Sequence, residues 1–548
     1  MTQLPLAADI AGIRSELALA RLALDLGAGE VGGPLSTAEA SLVERAANEA
    51  PSPHSLVPQT ASQIKYGADP LGDWLCSLRS GPDRRRQGAF YTPPAIVRPM
   101  VEWALSQHPT RLVDAGCGSG RFSARALLRL PNIALVAIDR DPLQTLMTRA
   151  VLRVLRAGNA RVLQGDYLGI ELPAWNGRTA YLSNPPYVRH HDLDAATKSW
   201  GARVAKKLGS RFSGLAGLHA HFFLATAQFG KPGDVGCFVT SAEWLDVGYG
   251  AVIRSLLLNG LGGQAIHVVD PSVSAFDDVQ TTAAVTCFEF GLAPQAIRFR
   301  RVARAGELGA LTAGRLVSRE DLAALTRWAS LTQPRGGIDA SLKPLGDLVE
   351  VHRGMVTGAN NFFVLPRERA RILGVMPWCV PVISDGKEIL RSDGIICDGP
   401  ERKVLLRVPR NTDRTKHPSL DAYLSLGENP QGGPQAVAAR YIPSHRRPWW
   451  YLGNHESPPI VVSYMARQPP VFALNPDGLA ILNIAHGLYP KRTMDPAELS
   501  DLVQHLNLHR ESFRGLGRTY QGGLEKFEPR EMEALPIDFA RGKETANG

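Results

Sequence analysis

This 548-residue sequence lacks long apolar runs, paired cysteines and an excess of acidic residues. No stretch approaches the roughly 18 apolar residues that a membrane-spanning helix needs. Its six cysteines are scattered without a C-x-x-C pair, which argues against a disulfide framework and a structural zinc site. The apolar N-terminus is interrupted by Asp9, Arg14 and Glu16, so it does not resemble a secretory signal. We therefore expect a cytoplasmic protein with no membrane partner and no metal ion.

Charge and length set two broad expectations. Lysine and arginine number 61 against 52 aspartates and glutamates, which gives a net charge of +9. This balance fits a polyanionic partner but also an ordinary basic surface, so charge alone does not decide. The chain is too long for a single hydrophobic core. We predict a helical N-terminal appendage over 1–80, a large domain over 81–300, a connector over 301–343 and a second domain over 344–548.

A glycine-rich turn joins a predicted strand to a predicted amphipathic helix. The apolar run Arg111–Ala115 leads directly into Gly116-Cys117-Gly118-Ser119-Gly120. The spacing G-x-G-x-G differs from the dinucleotide fingerprint G-x-G-x-x-G. Glycines at such a turn let the backbone approach a ligand closely. The segment therefore predicts a ligand-binding loop in an α/β fold.

Polar residues recur where the predicted strands end. Ligands bind outside the carboxyl ends of the strands in an open parallel sheet. Any one of these residues alone is more typical of an ordinary turn, whereas the whole series predicts a single binding cleft. The series is Asp114, Asp139, Asp166 and Asn184, and the last three follow strands predicted over 134–138, 160–164 and 179–182.

Asn184-Pro185-Pro186-Tyr187 is the most distinctive stretch of the chain. Its two prolines fix φ near about −65° and push the residue before each of them into extended geometry. The Asn184 side-chain oxygen and the Pro185 carbonyl can then face the same point, with the Tyr187 ring beside it. Two acceptors and one ring suit a planar substrate that carries an exocyclic amine. The alternative is a proline-rich turn after a strand, which is the usual meaning of two prolines.

The order of these motifs resembles the gamma class of N6-adenine DNA methyltransferases. In that class the cofactor motifs come first, the catalytic motif second and a target-recognition domain last. The resemblance covers roughly residues 85–295 and is looser over the remainder. It rests on Phe90-Tyr91-Thr92-Pro93, Asp114–Gly120, Asp139, Asp166, Asn184–Tyr187, Cys237–Leu245 and Ser274–Val285.

The resemblance implies a Rossmann-like class I fold that binds S-adenosylmethionine, followed by a mixed α+β target-recognition domain. Asp139 would hold the ribose hydroxyls, Asp166 the adenine amine, and Tyr167 would flank that adenine. Methyl transfer to an amine is a direct displacement without an enzyme nucleophile, so Cys117 needs no catalytic role. The other implied cofactor-binding residues are Tyr91, Thr92, Asp114, Ala115, Gly116 and Gly118.

The resemblance also implies how the target base is held. Asn184 and the Pro185 carbonyl would accept hydrogen bonds from adenine N6. Pro186 and Tyr187 would complete this rigid catalytic segment. The base must leave the duplex stack to reach this site. Tyr187 and Phe276 would stack on the flipped base. Phe276 has the alternative interpretation of an ordinary core residue.

The C-terminal half resembles a target-recognition domain. It implies double-stranded DNA as a partner and, beside it, a separately encoded restriction endonuclease. Arg446 and Arg447 precede Trp449 and Trp450, a mixture suited to phosphate binding and base packing. We predict that these four residues contact DNA. An equally good interpretation is a buried tryptophan pair with a solvated basic rim.

Alternatives to N6-adenine methylation stay open. Enzymes that methylate ribosomal RNA or a protein glutamine also use Asn-Pro-Pro-Tyr, but they usually lack a second domain of this length. N4-cytosine methylation more often goes with serine in place of Asn184. A DNA-binding specificity module with an inactive methyltransferase fold would be a different class of function. The presence of both Asn184 and Asp139 argues against it.

Overall fold

The computed structural model describes residues 13–80, 92–269, 282–302, 307–332, 342–428, 436–454, 456–514, 516–520 and 524–539. The chain divides into two compact units, Met1–Pro334 and Arg335–Gly548. Within the described residues, none of the helices combines the length and the apolar character needed to cross a lipid bilayer.

A nine-stranded sheet is the centre of the first unit. Its strands are β1 (Arg111–Ala115), β2 (Ala134–Asp139), β3 (Ala160–Gln164), β4 (Thr179–Ser183), β5 (Val235–Ser241), β6 (Gly263–Val269), β7 (Ala283–Glu289), β8 (Ala296–Val302) and β9 (Arg315–Ser318). They lie in the order β3-β2-β1-β4-β5-β7-β6-β8-β9, and β1 to β5 are parallel. β7 runs antiparallel to both of its neighbours. The order 3-2-1-4-5 is that of the doubly wound Rossmann arrangement, so the predicted α/β fold is confirmed.

Alternate side chains of the central strands enter two hydrophobic clusters on opposite faces of the sheet. In β1, Leu112 belongs to one cluster, whereas Val113 and Ala115 belong to the other. β2 repeats this alternation with Ala137 and Ile138. Strands covered on both faces have nearly continuous apolar sequences. For this reason the sequence places β2 and β4 within one residue of their observed ends. The edge strand β3, of which only Val162 is buried, is also predicted at its observed bounds.

Helices cover the sheet and form the N-terminal part of this unit. α7 is buried along most of its length, because it lies between the sheet and the N-terminal helices. The described helices are α1 (Glu16–Asp25), α2 (Thr37–Ala47), α3 (Leu56–Lys65), α4 (Pro70–Leu78), α5 (Pro94–Ser106), α6 (Arg121–Arg129), α7 (Pro142–Val154), α8 (Ala195–Lys207), α9 (Leu218–Phe229), α10 (Ala251–Leu258) and α11 (Arg319–Ala324).

The N-terminal segment, residues 13–80, packs directly on α7. Leu19 and Leu22 of α1 share a buried cluster with Leu146 and Ala150 of α7. Four helices that bury a common apolar face in this way cannot keep that face covered when separated from the sheet. We therefore describe the segment as part of the first unit, in agreement with the division of the chain at Pro334.

The sheet continues beyond the end that the sequence predicts for the large domain. We predict a connector over 301–343, whereas β8 pairs with β6 and β9 pairs with β8. Ile297 and Phe299 of β8 are buried, and they alternate with the partly exposed Arg298 and Arg300. This alternation of apolar and charged residues is the pattern of a half-buried strand, so the predicted start of the connector at residue 301 falls inside a strand of the sheet.

The described residues of the second unit form four small sheets. Their strands are β10 (Lys343–Pro344), β11 (Val349–Arg353), β12 (Val364–Leu365), β13 (Cys379–Ile383), β14 (Val404–Leu406), β15 (Ile460–Ser463), β16 (Met465–Ala466), β17 (Phe472–Leu474), β18 (Ala480–Ile481), β19 (Ala485–Pro490), β20 (Arg518–Tyr520), β21 (Leu524–Lys526) and β22 (Pro536–Ile537). The sheet orders are β11-β19-β15-β17, β12-β14-β13-β18, β16-β21-β20 and β10-β22.

Short helices alternate with these strands. Three separate hydrophobic clusters hold the unit together, and the mixed α+β architecture agrees with the prediction for this half. The helices are α12 (Asn360–Phe363), α13 (Arg367–Ile372), α14 (Gly386–Leu390), α15 (Pro418–Glu428), α16 (Tyr441–Ser444), α17 (Pro496–Leu508) and α18 (Pro529–Glu533).

Candidate active site

A cavity of about 660 Å³ lies at the carboxyl ends of β1 to β4. Its walls come from the turns that follow these strands, from the start of α6 and from α9. This is the edge at which open parallel sheets bind ligands. The lining residues include Thr92, Gly116, Gly118, Arg121, Asp139, Asp141, Asp166, Tyr167, Asn184, Pro186, Leu218 and Phe222.

The turn after β1 presents bare backbone to this cavity. Gly116, Gly118 and Gly120 have φ of 74°, 58° and 89°, a left-handed conformation that side chains disfavour. The Gly118 N–H donates to Asp139 Oδ2 at 2.9 Å, which ties the turn to the end of β2. A Cβ added at Gly116 would lie 3.9 Å from the Asn184 carbonyl oxygen. The glycine turn is thus fixed in shape and lies next to Asn184.

Asp139 and Asp166 are two of the carboxylates that line this cavity. Asp139 Oδ1 accepts the Asp141 N–H at 3.0 Å, and its Oδ2 accepts the Gly118 N–H. Burial raises the pKa of Asp139 to about 6, although these backbone N–H groups favour its charged form. Asp166 Oδ1 accepts the Leu168 N–H at 3.0 Å. Each carboxylate keeps lone pairs for the polar groups of a ligand.

Aromatic rings form an apolar part of the wall. The rings of Tyr167 and Phe222 have centroids 5.0 Å apart, and both residues line the cavity. The Tyr167 hydroxyl lies 2.9 Å from Thr226 Oγ1, and burial raises the pKa of this phenol. The Phe229 ring lies 5.3 Å from that of Tyr167, so α9 holds Tyr167 in place with one polar and two aromatic contacts.

Asp114 and Ala115, two predicted cofactor residues, are not among the described residues that line the cavity. Asp114 is the fourth residue of β1 rather than the residue that ends the strand. Its Oδ2 accepts from Ser123 N at 3.0 Å and from Ser123 Oγ at 2.6 Å, and burial raises its pKa to about 7. The Ala115 carbonyl accepts from Ser183 Oγ at 2.5 Å. Asp114 therefore holds the first turn of α6, and Ala115 holds the end of β4.

The pairing of β4 with β1 positions Asn184. Ser183, the last residue of β4, lies opposite Ala115, the last residue of β1. Gly116 and Asn184 therefore leave the sheet side by side. Asn184 and Pro186 line the cavity that also contains the two carboxylates. The structure brings together the amide, the glycine turn and the acids that the sequence pattern marked separately.

Pro185 and Tyr187 belong to this segment but are not among the described residues that line the cavity. Pro185 is buried. The Tyr187 ring packs against the hydrophobic cluster on the α5 face of the sheet, and burial raises its pKa. The Val188 carbonyl accepts the Leu218 N–H at 3.0 Å, which anchors the end of the segment to α9. The stacking role of Tyr187 stays a prediction.

Two of the predicted site residues, Tyr91 and Phe276, lie outside the described residues. Thr92, the next predicted cofactor residue, is buried and lines the cavity. Its carbonyl accepts a hydrogen bond from Arg121 Nη1 at 3.0 Å. The wall at this point is therefore held by a side chain from the start of α6.

Comparison with known proteins decides the family. The chain is 40% identical over 457 residues to the Type II methyltransferase M.XamI of Xanthomonas campestris pv. amaranthicola, covering 82% of this chain and 85% of the relative. The chain belongs to the Type II methyltransferase family of restriction-modification systems. The methyltransferase is also 23% identical over 473 residues to M.AccI of Acinetobacter calcoaceticus, with coverage of 82% and 85%.

The second unit of the methyltransferase has its own match. The family model for the C-terminal domain of the Type II methyltransferase M.Eco57I matches residues 337–547. Among solved structures, the Type IIL restriction-modification enzyme MmeI in complex with DNA superimposes with a TM-score of 0.56 at 14% identity, covering 83% of this chain and 69% of that chain. At this identity the likeness concerns the fold. The resemblance read from the motifs is thus confirmed at the level of the family.

The predicted DNA-binding tryptophans of this methyltransferase make contacts within the second unit. Trp449 Nε1 donates to Glu428 Oε1 at 2.9 Å, and its ring lies 5.6 Å from that of Phe362. The guanidinium of Arg414 lies 5.0 Å from the centroid of the Trp450 ring. These contacts agree with the interpretation of a packed tryptophan pair, while the predicted DNA contacts stay a prediction.

The neighbouring arginines differ in their surroundings. Arg446 donates to the Thr357 carbonyl at 3.0 Å and also to the Val356 carbonyl, so it fixes the loop after β11. Burial lowers the pKa of Arg446. Arg447 is exposed and donates to the Ser444 carbonyl at 2.8 Å. Of the two arginines, Arg447 presents its guanidinium to solvent.

Sequence reasoning missed Arg121, Asp141 and Phe222, which all line the cavity. A cation at the first position of a helix opposes the helix dipole, so Arg121 carried a local signal of a special role. Asp141 precedes Pro142 and caps α7, a pattern that indicates only a helix start. Phe222 is an ordinary aromatic of a buried helix, and only the tertiary structure shows that it reaches the cavity.

Among the residues that the structure describes, no group of three or more His, Cys, Asp or Glu side chains is arranged to hold a metal ion.

Proposed function

We propose that this enzyme transfers a methyl group from S-adenosylmethionine to N6 of an adenine flipped out of double-stranded DNA, at a specific sequence, within a restriction-modification system. One observation carries the proposal. Asn184 lines the same cavity as Asp139 and Asp166 and lies beside the glycine turn. The proposed site for the amine that receives the methyl group and the proposed site for the nucleoside part of the methyl donor therefore share one cavity.

The residues present fit S-adenosylmethionine. The cavity volume falls within the range of about 300–1,000 Å³ that is usual for small-molecule sites. Asp139 lies at the end of the second strand, where doubly wound folds bind ribose hydroxyls with a carboxylate. Asp166 offers an acceptor to the adenine amine, and Tyr167 an apolar wall. When bound, the donor supplies an electrophilic methyl group on a sulfonium.

Asn184 has the central role in the proposed transfer. The N6 lone pair of adenine is delocalised into the ring and is a poor nucleophile. Hydrogen bonds from N6 to the Asn184 side-chain oxygen and the Pro185 carbonyl stabilise the positive charge that develops on the nitrogen. The prolines restrict the backbone, so the acceptors are oriented before the substrate arrives. Base flipping costs a few kcal/mol, and stacking on Tyr187 and Phe276 offsets part of it.

The second unit is proposed to recognise the DNA. Its match to the C-terminal domain of M.Eco57I supports this assignment. Arg447 is suited to a phosphate contact because its guanidinium is exposed. Trp449 and Arg446 support that contact indirectly, since they hold the surrounding loops. A separately encoded restriction endonuclease is the proposed cellular counterpart of the methyltransferase.

The direct test is an assay of the purified enzyme with labelled S-adenosylmethionine and unmethylated plasmid DNA of mixed sequence. We expect label in DNA and, after digestion to nucleosides, N6-methyladenine by mass spectrometry. N4-methylcytosine would replace the assignment of the base. Label in RNA or protein, with none in DNA, would contradict the proposal. Sequencing methylated DNA from expressing cells then gives the recognition site.

Donor binding is expected to weaken at acidic pH. The ribose hydroxyls need the ionised Asp139, whose pKa burial raises to about 6. At about pH 5 only about a tenth of this carboxyl stays ionised, so the Kd for S-adenosylmethionine should rise about tenfold between about pH 8 and about pH 5. Calorimetric titration measures this.

Asp139→Asn is the control for that pH dependence. It should bind weakly at every pH and lose the part of the pH profile that belongs to Asp139. Any pH dependence that comes from ionisation of the donor or of Asp114, whose pKa burial raises to about 7, would appear in the profiles of both proteins. Parallel profiles for the two proteins would contradict a role for the Asp139 carboxylate.

A further inference from the structure

The N-terminal segment contacts the rim of the cavity through Asp69. Asp69 Oδ2 accepts from Ser119 Oγ and from Arg121 Nε, both at 2.5 Å. Ser119 lies within the glycine turn, and Arg121 is the first residue of α6. The other carboxylate oxygen, Oδ1, caps α4 by accepting the Gly72 N–H at 3.0 Å. One side chain therefore connects the start of α4 to the end of the glycine turn that leads into α6.

Arg121 extends this connection to Thr92, another residue of the cavity wall. It lines the cavity itself, and its Nη1 donates to the Thr92 carbonyl. Its Nη2 donates to Asp73 Oδ1 at 3.0 Å. The guanidinium is thus oriented by two carboxylates of α4 and its N-cap, while it holds a backbone group of the cavity wall.

Gly72 shows how closely α4 approaches the glycine turn. A Cβ at this position would lie 2.7 Å from Ser119 Oγ and 2.1 Å from Asp69 Oδ2. Glycine is a poor helix former, so its position inside a nine-residue helix needs a reason. The reason is the direct contact between the helix backbone and the Asp69–Ser119 hydrogen bond.

A second ion pair joins the same segment to the part of the cavity rim at the start of α7. Arg79 Nη2 lies 2.7 Å from Asp141 Oδ2, and Asp141 lines the cavity and caps α7. Arg79 also pairs with Glu16 of α1 at 2.9 Å. The N-terminal segment therefore holds two separate parts of the rim, one through Asp69 and one through Arg79.

We propose that Asp69 is a positioning residue for the methyl donor, acting through Ser119 and Arg121. This inference rests on the proposed function, because it assigns S-adenosylmethionine to the cavity. A turn held in its binding geometry loses little freedom when the donor binds, whereas a loosened turn must be ordered by the donor at the expense of affinity. The N-terminal segment thereby contributes to donor affinity without contacting the donor.

The test compares Asp69→Asn with Glu30→Gln. Asparagine caps a helix as well as aspartate does, so α4 keeps its start and only the charged acceptor is lost. Glu30 pairs with Arg153 at 2.7 Å between the N-terminal segment and α7, and neither residue lines the cavity. We expect the Kd for S-adenosylmethionine to rise about tenfold in Asp69→Asn and to stay at the wild-type value in Glu30→Gln.

The kinetic signature separates positioning from general damage. At saturating donor, kcat and the KM for DNA of Asp69→Asn should match those of the wild type, because only donor affinity depends on the turn. A lower kcat that saturating donor does not restore would contradict the proposal. So would an unchanged donor Kd, or an equal weakening in Glu30→Gln.

Ser119→Ala is the second variant and keeps the test valid if Asp69→Asn fails to fold. It removes one hydroxyl and leaves the Asp69–Arg121 pair in place. We expect a rise in donor Kd of about threefold, and less than additive effects in the double variant. An unchanged Kd in Ser119→Ala, or strictly additive effects, would overturn the inference. Failure of the wild-type enzyme to bind S-adenosylmethionine would instead contradict the proposed function.

Discussion

Replacing Asn184 by alanine is expected to lower kcat for DNA methylation by about 10²–10³-fold, the usual effect of removing one group that stabilises charge in a transition state. The Kd for S-adenosylmethionine should change little, because Asp139, Asp166 and the glycine turn remain. The reason is geometric. Asn184 leaves the sheet beside Gly116 and lines the cavity in which we propose that the donor binds.

Single-turnover methylation and calorimetric donor titration measure the two quantities. Asn259→Ala is a matched control, since this asparagine donates to the Ser255 carbonyl at the end of α10 and does not line the cavity. It should behave as the wild type. Equal kcat values for Asn184→Ala and the wild type would remove Asn184 from the mechanism. A comparable loss of donor binding would show that the amide belongs to the donor site.

Local sequence signals located most of this site. Glycine and proline mark the turns after β1 and β4, and short runs rich in apolar residues mark the strands that lead into these turns. Since the carboxyl ends of parallel strands share one edge, Asp139, Asp166 and Asn184 could be assigned to one cleft before their distances were known. The structure agrees with this assignment, because all three residues line one cavity.

The failures have two other origins, the face of the sheet on which a strand residue lies and contacts between residues that are distant in the sequence. Asp114 is one residue short of the strand end, and adjacent side chains of a strand point to opposite faces. It therefore reaches Ser123 rather than the cavity. Likewise, the aromatic run at Phe362 and Phe363 is typical of a strand, yet it forms a single helical turn that packs against Trp449.

Arg149 is a larger example of a contact that no local pattern predicts. This residue of α7 is fully buried and pairs with Glu39 of α2, 110 positions away, at 2.8 and 3.2 Å. Its remaining N–H groups donate to carbonyls between 2.7 and 3.2 Å away, which include those of Val31, Gly33 and Val162. All three nitrogens of this buried guanidinium donate hydrogen bonds, which join the N-terminal segment to the sheet.

Glu39→Ala is therefore expected to destabilise the N-terminal segment by about 3–5 kcal/mol, the usual cost of leaving one partner of a buried ion pair uncompensated. Hydrogen exchange with mass spectrometry resolves this effect by region. Amide protection should fall by about 10²-fold to about 4 × 10³-fold in α1 and α2, since about 1.4 kcal/mol corresponds to each factor of ten. Protection in the second unit should not change.

The comparison with Glu30→Ala decides whether burial is the cause. The Glu30–Arg153 pair joins the same two parts of the chain, but its side chains are 63% and 47% exposed. Exposed pairs contribute about 0–1 kcal/mol, because water and salt screen them. Equal losses of protection in the two variants would show that the contact as a whole, rather than the desolvated charge of Arg149, sets the stability. A loss confined to Glu39→Ala would assign that stability to the buried pair.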